Sequence, residues 1–192
     1  IGPLASCIYL CGENGIGNLK VAAELKIKKP GQCFAVRNDW PQFVSILDKA
    51  LKFIPSNERN AIYAKWIPVS ARSVPKPQNG MVLTAEERAW LKAHPQITIG
   101  SDNQWAPIEY LDEKGRFHGI SIEYLRAIEK RLGIHFVFEK DKTWNEMISM
   151  AKSGKLDAFS CITPTPERRE YLQFTSSYLH IPIVIFTRKN VP

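Results

Sequence analysis

The sequence predicts an α/β fold with a mostly parallel sheet flanked by helices. In the second half of the chain, short apolar runs typical of strands alternate with segments whose apolar residues recur at helical spacing. This order is typical of parallel strands joined by helical crossovers. The chain has 192 residues, 44% of them hydrophobic and 23% charged, so it is long enough to bury a core of its own.

The N-terminal third predicts three helices and two strands. The expected elements are helices over residues 4–11, 41–53 and 57–66, and strands over residues 19–22 and 33–37. The segment 41–53 shows a clear amphipathic period. Ser56 is expected to cap the helix that follows it.

A break in pattern separates this region from the rest of the chain. Residues 67–83 contain three prolines and one glycine and show no helical period, which indicates a domain boundary. Thr84 and Glu87 then match a capping box, so a helix is expected to begin there and to end before Pro95.

The second half predicts the elements of the alternating layer. They are strands over residues 97–100, 135–139 and 181–187 and around Ala158, helices over residues 121–132 and 144–153, and a hairpin over residues 108–117. Gly133 suits the end of the first of these helices. Thr143 and Glu146 form a second capping box at the start of the other.

Charge and cysteine spacing argue against several kinds of protein. The 26 Lys and Arg residues outnumber 19 Asp and Glu residues, a net charge of +7, but the cations are scattered and no nucleic-acid partner is expected. The four cysteines are irregularly spaced among apolar neighbours, and no histidine lies near them. We therefore expect neither a disulfide framework nor a metal site, and no cofactor. No apolar run approaches the roughly 20 residues that span a bilayer.

The segment 157–179 carries the strongest chemical signal. A strand end at Ser160 leads to the hydroxyls of Thr163 and Thr165 and then to Arg168. Thr165 suits an N-cap and the proline after it suits a first helical position, so a helix is expected to begin there. An arginine fork among hydroxyls suits a carboxylate or another small anion. An ordinary helix start with a solvated arginine is the alternative.

Two further segments follow predicted strands. Asp102 and Trp105 come after the first strand of the layer, and Trp144 comes after the strand at residues 135–139. Because ligands of such sheets bind at the carboxyl ends of strands, we expect these residues to meet Arg168 there. Two aromatic walls and an anion anchor suit a small zwitterion or carboxylate, although core packing is the alternative for each tryptophan.

The run 97–179, with the motifs SDNQWAPIEY, KTWNEM and ITPTPERREYL, resembles the first lobe of the family 3 extracellular solute-binding proteins. These are periplasmic binding proteins of type II, known as Venus flytraps. The resemblance implies that Trp105 stacks on the ligand and that Trp144 forms the opposite wall. It implies that Arg168 grips a ligand carboxylate with help from the region of Thr163, and that Asp102 lies near a ligand amino group.

The same resemblance suggests a tandem arrangement. Between residues 157 and 168 the chain is one residue shorter than the usual pattern, and its motifs are closer to versions fused to sensor kinases or cyclases, including tandem-flytrap kinases of the BvgS type. The N-terminal part is similar to the closing stretch of a flytrap. We therefore expect residues 1–69 to end a first module, residues 70–95 to form a linker and linking helix, and residues 96–192 to be a truncated first lobe of a second module.

The expected function is that of an extracytoplasmic sensor module that binds a small amino-acid-like or carboxylate solute and signals by lobe closure. We expect a periplasmic piece of a longer inner-membrane protein, attached to the membrane only through that parent, with adjacent flytrap lobes as partners and a homodimer as an option. The chain itself is not expected to be an enzyme. The alternatives are an aromatic-acid dehydratase, an accessory domain of a lytic transglycosylase, or a structural segment between modules.

Overall fold

The computed structural model of the chain describes residues 1–26, 31–67 and 81–189. The helices are α1 (Leu4–Glu13), α2 (Pro41–Phe53), α3 (Ser56–Trp66), α4 (Ala85–Ala93), α5 (Ile120–Leu132) and α6 (Trp144–Lys152). The strands are β1 (Gly2–Pro3), β2 (Leu19–Glu24), β3 (Cys33–Arg37), β4 (Gln96–Gly100), β5 (Gln104–Trp105), β6 (Glu109–Leu111), β7 (Phe117–His118), β8 (His135–Glu139), β9 (Ala158–Ile162), β10 (Leu172–Phe174) and β11 (Ile183–Arg188). A short 3₁₀ turn covers Arg168–Glu170.

The central sheet has five strands in the order β10-β3-β9-β4-β8. Strand β4 lies between β8 and β9 and is parallel to both, with Ile97 opposite Phe136 and Gly100 opposite Phe159. Strand β3 is antiparallel to β9 and to β10. Four of the five strands therefore point the same way, and the predicted mostly parallel α/β fold is confirmed.

Helices cover both faces of this sheet. Because side chains alternate along a strand, Phe34 and Val36 of β3 join the cluster that contains α2 and α5, whereas Ala35 joins the cluster that contains α6. Strand β9 divides in the same way, with Ala158 on the α5 side and Phe159 on the α6 side. The core is thus two apolar layers separated by the sheet.

Helix α4 is fastened to α2 by polar and aromatic contacts. The predicted capping box at its start is present, since the Thr84 hydroxyl accepts from the Glu87 backbone N–H and the Glu87 carboxylate accepts from the Thr84 N–H. The same carboxylate receives Lys49 Nζ at 2.7 Å and is nearly buried. One turn later, Trp90 stacks on Phe43 with ring centroids 5.0 Å apart.

The N-terminal and C-terminal parts of the chain share one sheet and one core. Strand β3, from the predicted first module, lies between β9 and β10 of the predicted second module. The three-part division remains a prediction, and residues 68–80 of the expected boundary lie outside the described residues. Two smaller sheets complete the strands named above, one in the order β1-β11-β2 and one, containing the predicted hairpin, in the order β5-β6-β7.

Two local predictions were wrong in detail. Ser56 is the first residue of α3, and Pro55 takes the N-cap position without a side-chain cap bond. The helix expected after Thr165 is a 3₁₀ turn, because only Arg168–Glu170 adopt helical pairing before Leu172 enters β10. The capping box at Thr143 and the left-handed Gly133 that ends α5 are both present as predicted.

Candidate functional site

The carboxyl ends of β4, β8 and β9 meet at one edge of the central sheet. The loop 101–105 follows β4, Thr143 and Trp144 follow β8, and the segment 163–168 follows β9. The chain goes from β4 to β8 on one side and returns across β4 to β9 on the other, so this edge contains the point where the strand order reverses. Ligands of open α/β sheets bind at such a point.

Arg168 lies at this edge with a charge that no described acid neutralises. Its Nη1 donates to the Thr163 carbonyl oxygen at 2.8 Å, and its backbone N–H donates to the Thr165 hydroxyl at 3.3 Å. Its guanidinium carbon lies 5.9 Å from the centre of the Trp144 ring. Within residues 1–26, 31–67 and 81–189, no carboxylate forms an ion pair with it.

Trp144 is placed by the capping box that starts α6. The Thr143 hydroxyl accepts from the Glu146 N–H, and the Glu146 carboxylate accepts from the Thr143 N–H at 2.7 Å. Trp144 is therefore the first residue of the helix, and its ring packs on Phe159 with centroids 5.3 Å apart. The structure thus brings together Arg168, Thr163, Thr165 and Trp144, four of the seven predicted site residues.

Gln32, the residue before β3, supports this group and was not predicted. Its side-chain amide donates to the Thr163 hydroxyl at 2.9 Å, and that hydroxyl can donate back to Gln32 Oε1 at 3.2 Å. Gln32 is itself held by Leu179, whose carbonyl accepts its backbone N–H at 2.7 Å. Since Gln32 and Thr163 are 131 positions apart, no local sequence pattern connects them.

Trp105 and Asp102 lie in the loop after β4. The Trp105 side chain packs against the cluster on the α5 side of the sheet, whereas the Trp144 side chain packs against the cluster on the α6 side. The Asp102 carboxylate accepts from the Gln104 N–H at 2.8 Å and shapes its own loop. A joint contact of both tryptophans with one ligand remains a prediction.

Ser160 does not face an open surface. Its side chain is fully buried in β9, and its hydroxyl lies 2.5 Å from Glu109 Oε2 and 2.5 Å from the Ser101 hydroxyl. The prediction of direct ligand contact by Ser160 is therefore corrected, because its hydroxyl belongs to an internal network below the edge.

Glu109, at the start of β6, is a buried acidic residue beneath this edge that the sequence did not reveal. It is fully buried and accepts from the Asp102 N–H at 2.8 Å, from Ser121 at 2.7 Å and from Ser160. Burial raises the pKa of its carboxyl to about 7, against the lowering effect of these hydrogen bonds. A glutamate in a short hairpin strand is typical of an exposed position, so the sequence pattern did not indicate that Glu109 is buried.

No metal site is assembled among the described residues, and two of the four thiols are hard to ionise. Among the described residues, no group of three His, Cys, Asp or Glu side chains comes together as a metal site requires. All four cysteines are free thiols, and burial raises the pKa of Cys33 to about 11 and that of Cys161 well above its ordinary value.

No described helix is long and apolar enough to cross a membrane.

Comparison with known proteins identifies the family. The family of bacterial extracellular solute-binding proteins, family 3, matches residues 97–192, which are 96 of the 192 residues. The chain therefore belongs to that family, and the predicted resemblance and the flytrap-lobe fold are confirmed.

Individual relatives include sensors and binding proteins. The virulence sensor protein BvgS of Bordetella bronchiseptica is 26% identical over 190 residues, which cover 99% of this chain and 15% of that protein. A probable amino-acid ABC transporter-binding protein of Haemophilus influenzae is 27% identical over 95 residues, 49% of this chain and 37% of that protein. The periplasmic VFT2 domain of Bordetella pertussis BvgS has a TM-score of 0.43 at 26% identity, covering 46% of this chain and 38% of that one. The chain thus spans about a seventh of the BvgS protein that it matches.

Proposed function

We propose that the chain is the ligand-binding part of an extracytoplasmic sensor for a small amino-acid-like or carboxylate solute. The observation that carries this proposal is the Arg168 guanidinium, which has no carboxylate partner among the described residues and lies 5.9 Å from the Trp144 ring at the ligand edge of the sheet. Membership of a solute-binding family supports a solute as the ligand. Relatives named as amino-acid-binding proteins support the solute class.

The geometry around Arg168 suits a carboxylate. Its bond to the Thr163 carbonyl uses one N–H of Nη1, which leaves other donors of the fork for a ligand. The Trp144 ring beside it supplies apolar contact area and a face that favours cations. The Thr165 hydroxyl supports the turn from which Arg168 projects.

Asp102 and Trp105 complete the proposed contact set from the loop after β4. A carboxylate there would attract the ammonium group of an amino acid, and an indole would cover the apolar part of the ligand. The loop is held by β6, since Trp105 pairs with Glu109 and Gln104 with Tyr110, and the Asp102 N–H donates to the Glu109 carboxyl group. Ser160 is left out of the contact set because it is fully buried.

The wider biological setting is also a proposal. A relative that is matched along 99% of this chain and is named a virulence sensor protein supports a sensor parent. We propose a kinase or cyclase as the output domain of that parent. We propose a periplasmic location, signalling by closure against adjacent lobes of the parent, and homodimerisation as an option. We propose that the chain binds its solute without converting it, a reading supported by relatives that are named as sensor and binding proteins.

Thermal-shift screening with amino acids and small dicarboxylates tests this function. A binding solute raises the melting temperature of the chain, and Arg168→Ala is expected to abolish that rise. Arg169→Ala is the matched control, because it removes the same charge one residue away, where the guanidinium lies over Phe174. Failure of every solute in the panel, or equal loss in both variants, would contradict the proposal.

A further inference from the structure

Glu109 connects three parts of the chain beneath the ligand edge. We propose that Glu109 is a positioning residue, whose carboxyl group holds the loop 101–105 against β9 and α5 and tunes the ligand affinity of that loop by gaining or losing a proton. The regulation of affinity rests on the proposed function, whereas the hold on the loop does not.

The hydrogen bonds of Glu109 come from three separate elements. Oε1 accepts from the backbone N–H of Asp102, in the loop that follows β4, at 2.8 Å. Oε2 accepts from Ser121 in the first turn of α5 at 2.7 Å and from Ser160 in β9 at 2.5 Å. One carboxyl group therefore ties a proposed ligand-contact loop to the rigid strand and helix on either side of it.

The two serine hydroxyls have a hydrogen-bond acceptor within reach in either protonation state of Glu109. When Glu109 is ionised, both serine hydroxyls donate to it. When it is neutral, its own proton must be donated, and the serine that receives it can turn to a backbone carbonyl. Ser160 can then donate to the Gly100 carbonyl and Ser121 to the Ile108 carbonyl, each 3.2 Å away.

A change in the protonation state of Glu109 reaches the loop 101–105 through two hydrogen bonds, one at Ser101 and one at Asp102. Ser101, the first residue after β4, lies 2.5 Å from Ser160, and either hydroxyl can be the donor. When Ser160 donates to an ionised Glu109, Ser101 must donate to Ser160, and in the neutral state this direction can reverse. In the neutral state of Glu109, the Asp102 N–H donates to an uncharged carboxyl group instead of a carboxylate. A hydrogen bond to a charged acceptor is roughly twice as strong as one to a neutral acceptor. The ionised form therefore holds the loop more firmly.

Among the titratable groups that interact with Glu109, none is expected to change its charge near pH 7, where Glu109 itself titrates. The Asp102 charge acts from the loop, and Cys161 of β9 and Tyr178 after β10 act from the opposite side. Burial raises the pKa of Cys161 and of Tyr178 well above their ordinary values, so both stay neutral while Glu109 changes charge. The pKa of Glu109 is about 7.

Amide NMR of the full chain without ligand tests the hold on the loop. In a titration from pH 5.5 to 8.5, the Asp102 amide proton is expected to move downfield with a midpoint near pH 7, and Glu109→Gln is expected to abolish this transition. Glu113→Gln, which removes an exposed carboxyl in the neighbouring turn, is the matched control and leaves the midpoint in place. If glutamine at position 109 disturbs folding, Ser121→Ala replaces it and raises the midpoint by about 1 pH unit, since one donor to the ionised form is lost. An Asp102 amide that shows no transition, or the same transition in Glu109→Gln, would overturn the proposal.

Calorimetry at pH 6 and pH 8, with the tightest-binding amino acid or dicarboxylate of the panel, tests the effect on affinity. The wild-type chain is expected to bind about 5-fold more tightly at pH 8, and Glu109→Gln is expected to remove that pH dependence. An identical pH profile in both proteins would refute the tuning of affinity by Glu109. If no solute binds, the proposed function fails, and the NMR titration still decides whether Glu109 holds the loop.

Discussion

Replacing Glu109 by glutamine is expected to remove a large pH-dependent term from the stability of the chain. Burial raises the pKa of this carboxyl from the ordinary 4.5 to about 7. The folded state therefore binds the proton more tightly than the unfolded state between these two values. The contribution of Glu109 to the free energy of unfolding is therefore greatest below about pH 4.5, falls as the pH rises to about 7, and then stays level. At about 1.4 kcal/mol for each pKa unit, the loss is about 3 kcal/mol.

Urea unfolding followed by tryptophan fluorescence, from pH 4.5 to pH 8, measures this term. The free energy of unfolding of Glu109→Gln minus that of the wild type is expected to rise by about 3 kcal/mol across this range. Asp39 and Glu146 have pKa values lowered by hydrogen bonds, so their contribution is present above the ordinary pKa and is lost at lower pH, outside this window. Glu113→Gln serves as the exposed control. A difference that stays constant with pH would refute the reasoning, because Glu109 would then titrate alike in both states.

Two further substitutions test the contacts that place the helices, both by urea unfolding at pH 7. Thr143→Ala removes the hydroxyl that accepts from the first turn of α6 and is expected to cost about 1 kcal/mol, whereas Thr143→Ser costs much less; equal losses would contradict a capping role. Lys49→Met leaves the nearly buried Glu87 carboxylate without its cation and is expected to cost about 2 kcal/mol, reduced from the fully buried case because Lys49 is partly exposed. Adding Glu87→Gln to that variant should recover part of the loss, and no recovery would argue against the pair.

Local structure could be predicted from the sequence because its causes are local. The amphipathic period of residues 41–53 gave the bounds of α2, and the capping boxes at Thr84 and Thr143 marked where α4 and α6 begin. The prediction that Ser56 caps α3 was wrong. A serine hydroxyl suits an N-cap, but Pro55 takes that position and Ser56 is already the first residue of the helix. The expected helix after Thr165 became a 3₁₀ turn because β10 begins soon afterwards.

The long-range part of the fold could not be read in the same way. Strand β3 was predicted within its true limits, but its place between β9 and β10 depends on pairing across more than 120 residues of chain. Gln32 reaches Thr163 as a result of that pairing. The burial of Ser160 and the position of Glu109 arise from the way the hairpin folds over the end of β4, and no periodic pattern encodes them.

The most direct test of the central claim is the dissociation constant of the tightest-binding solute for three proteins, measured by isothermal titration calorimetry. The wild-type chain and Arg169→Ala are expected to agree within about 2-fold. Arg168→Ala is expected to bind at least about 10-fold more weakly, because a hydrogen-bonded charge pair with the ligand carboxylate is lost. Binding by Arg168→Ala that equals that of Arg169→Ala would contradict the account.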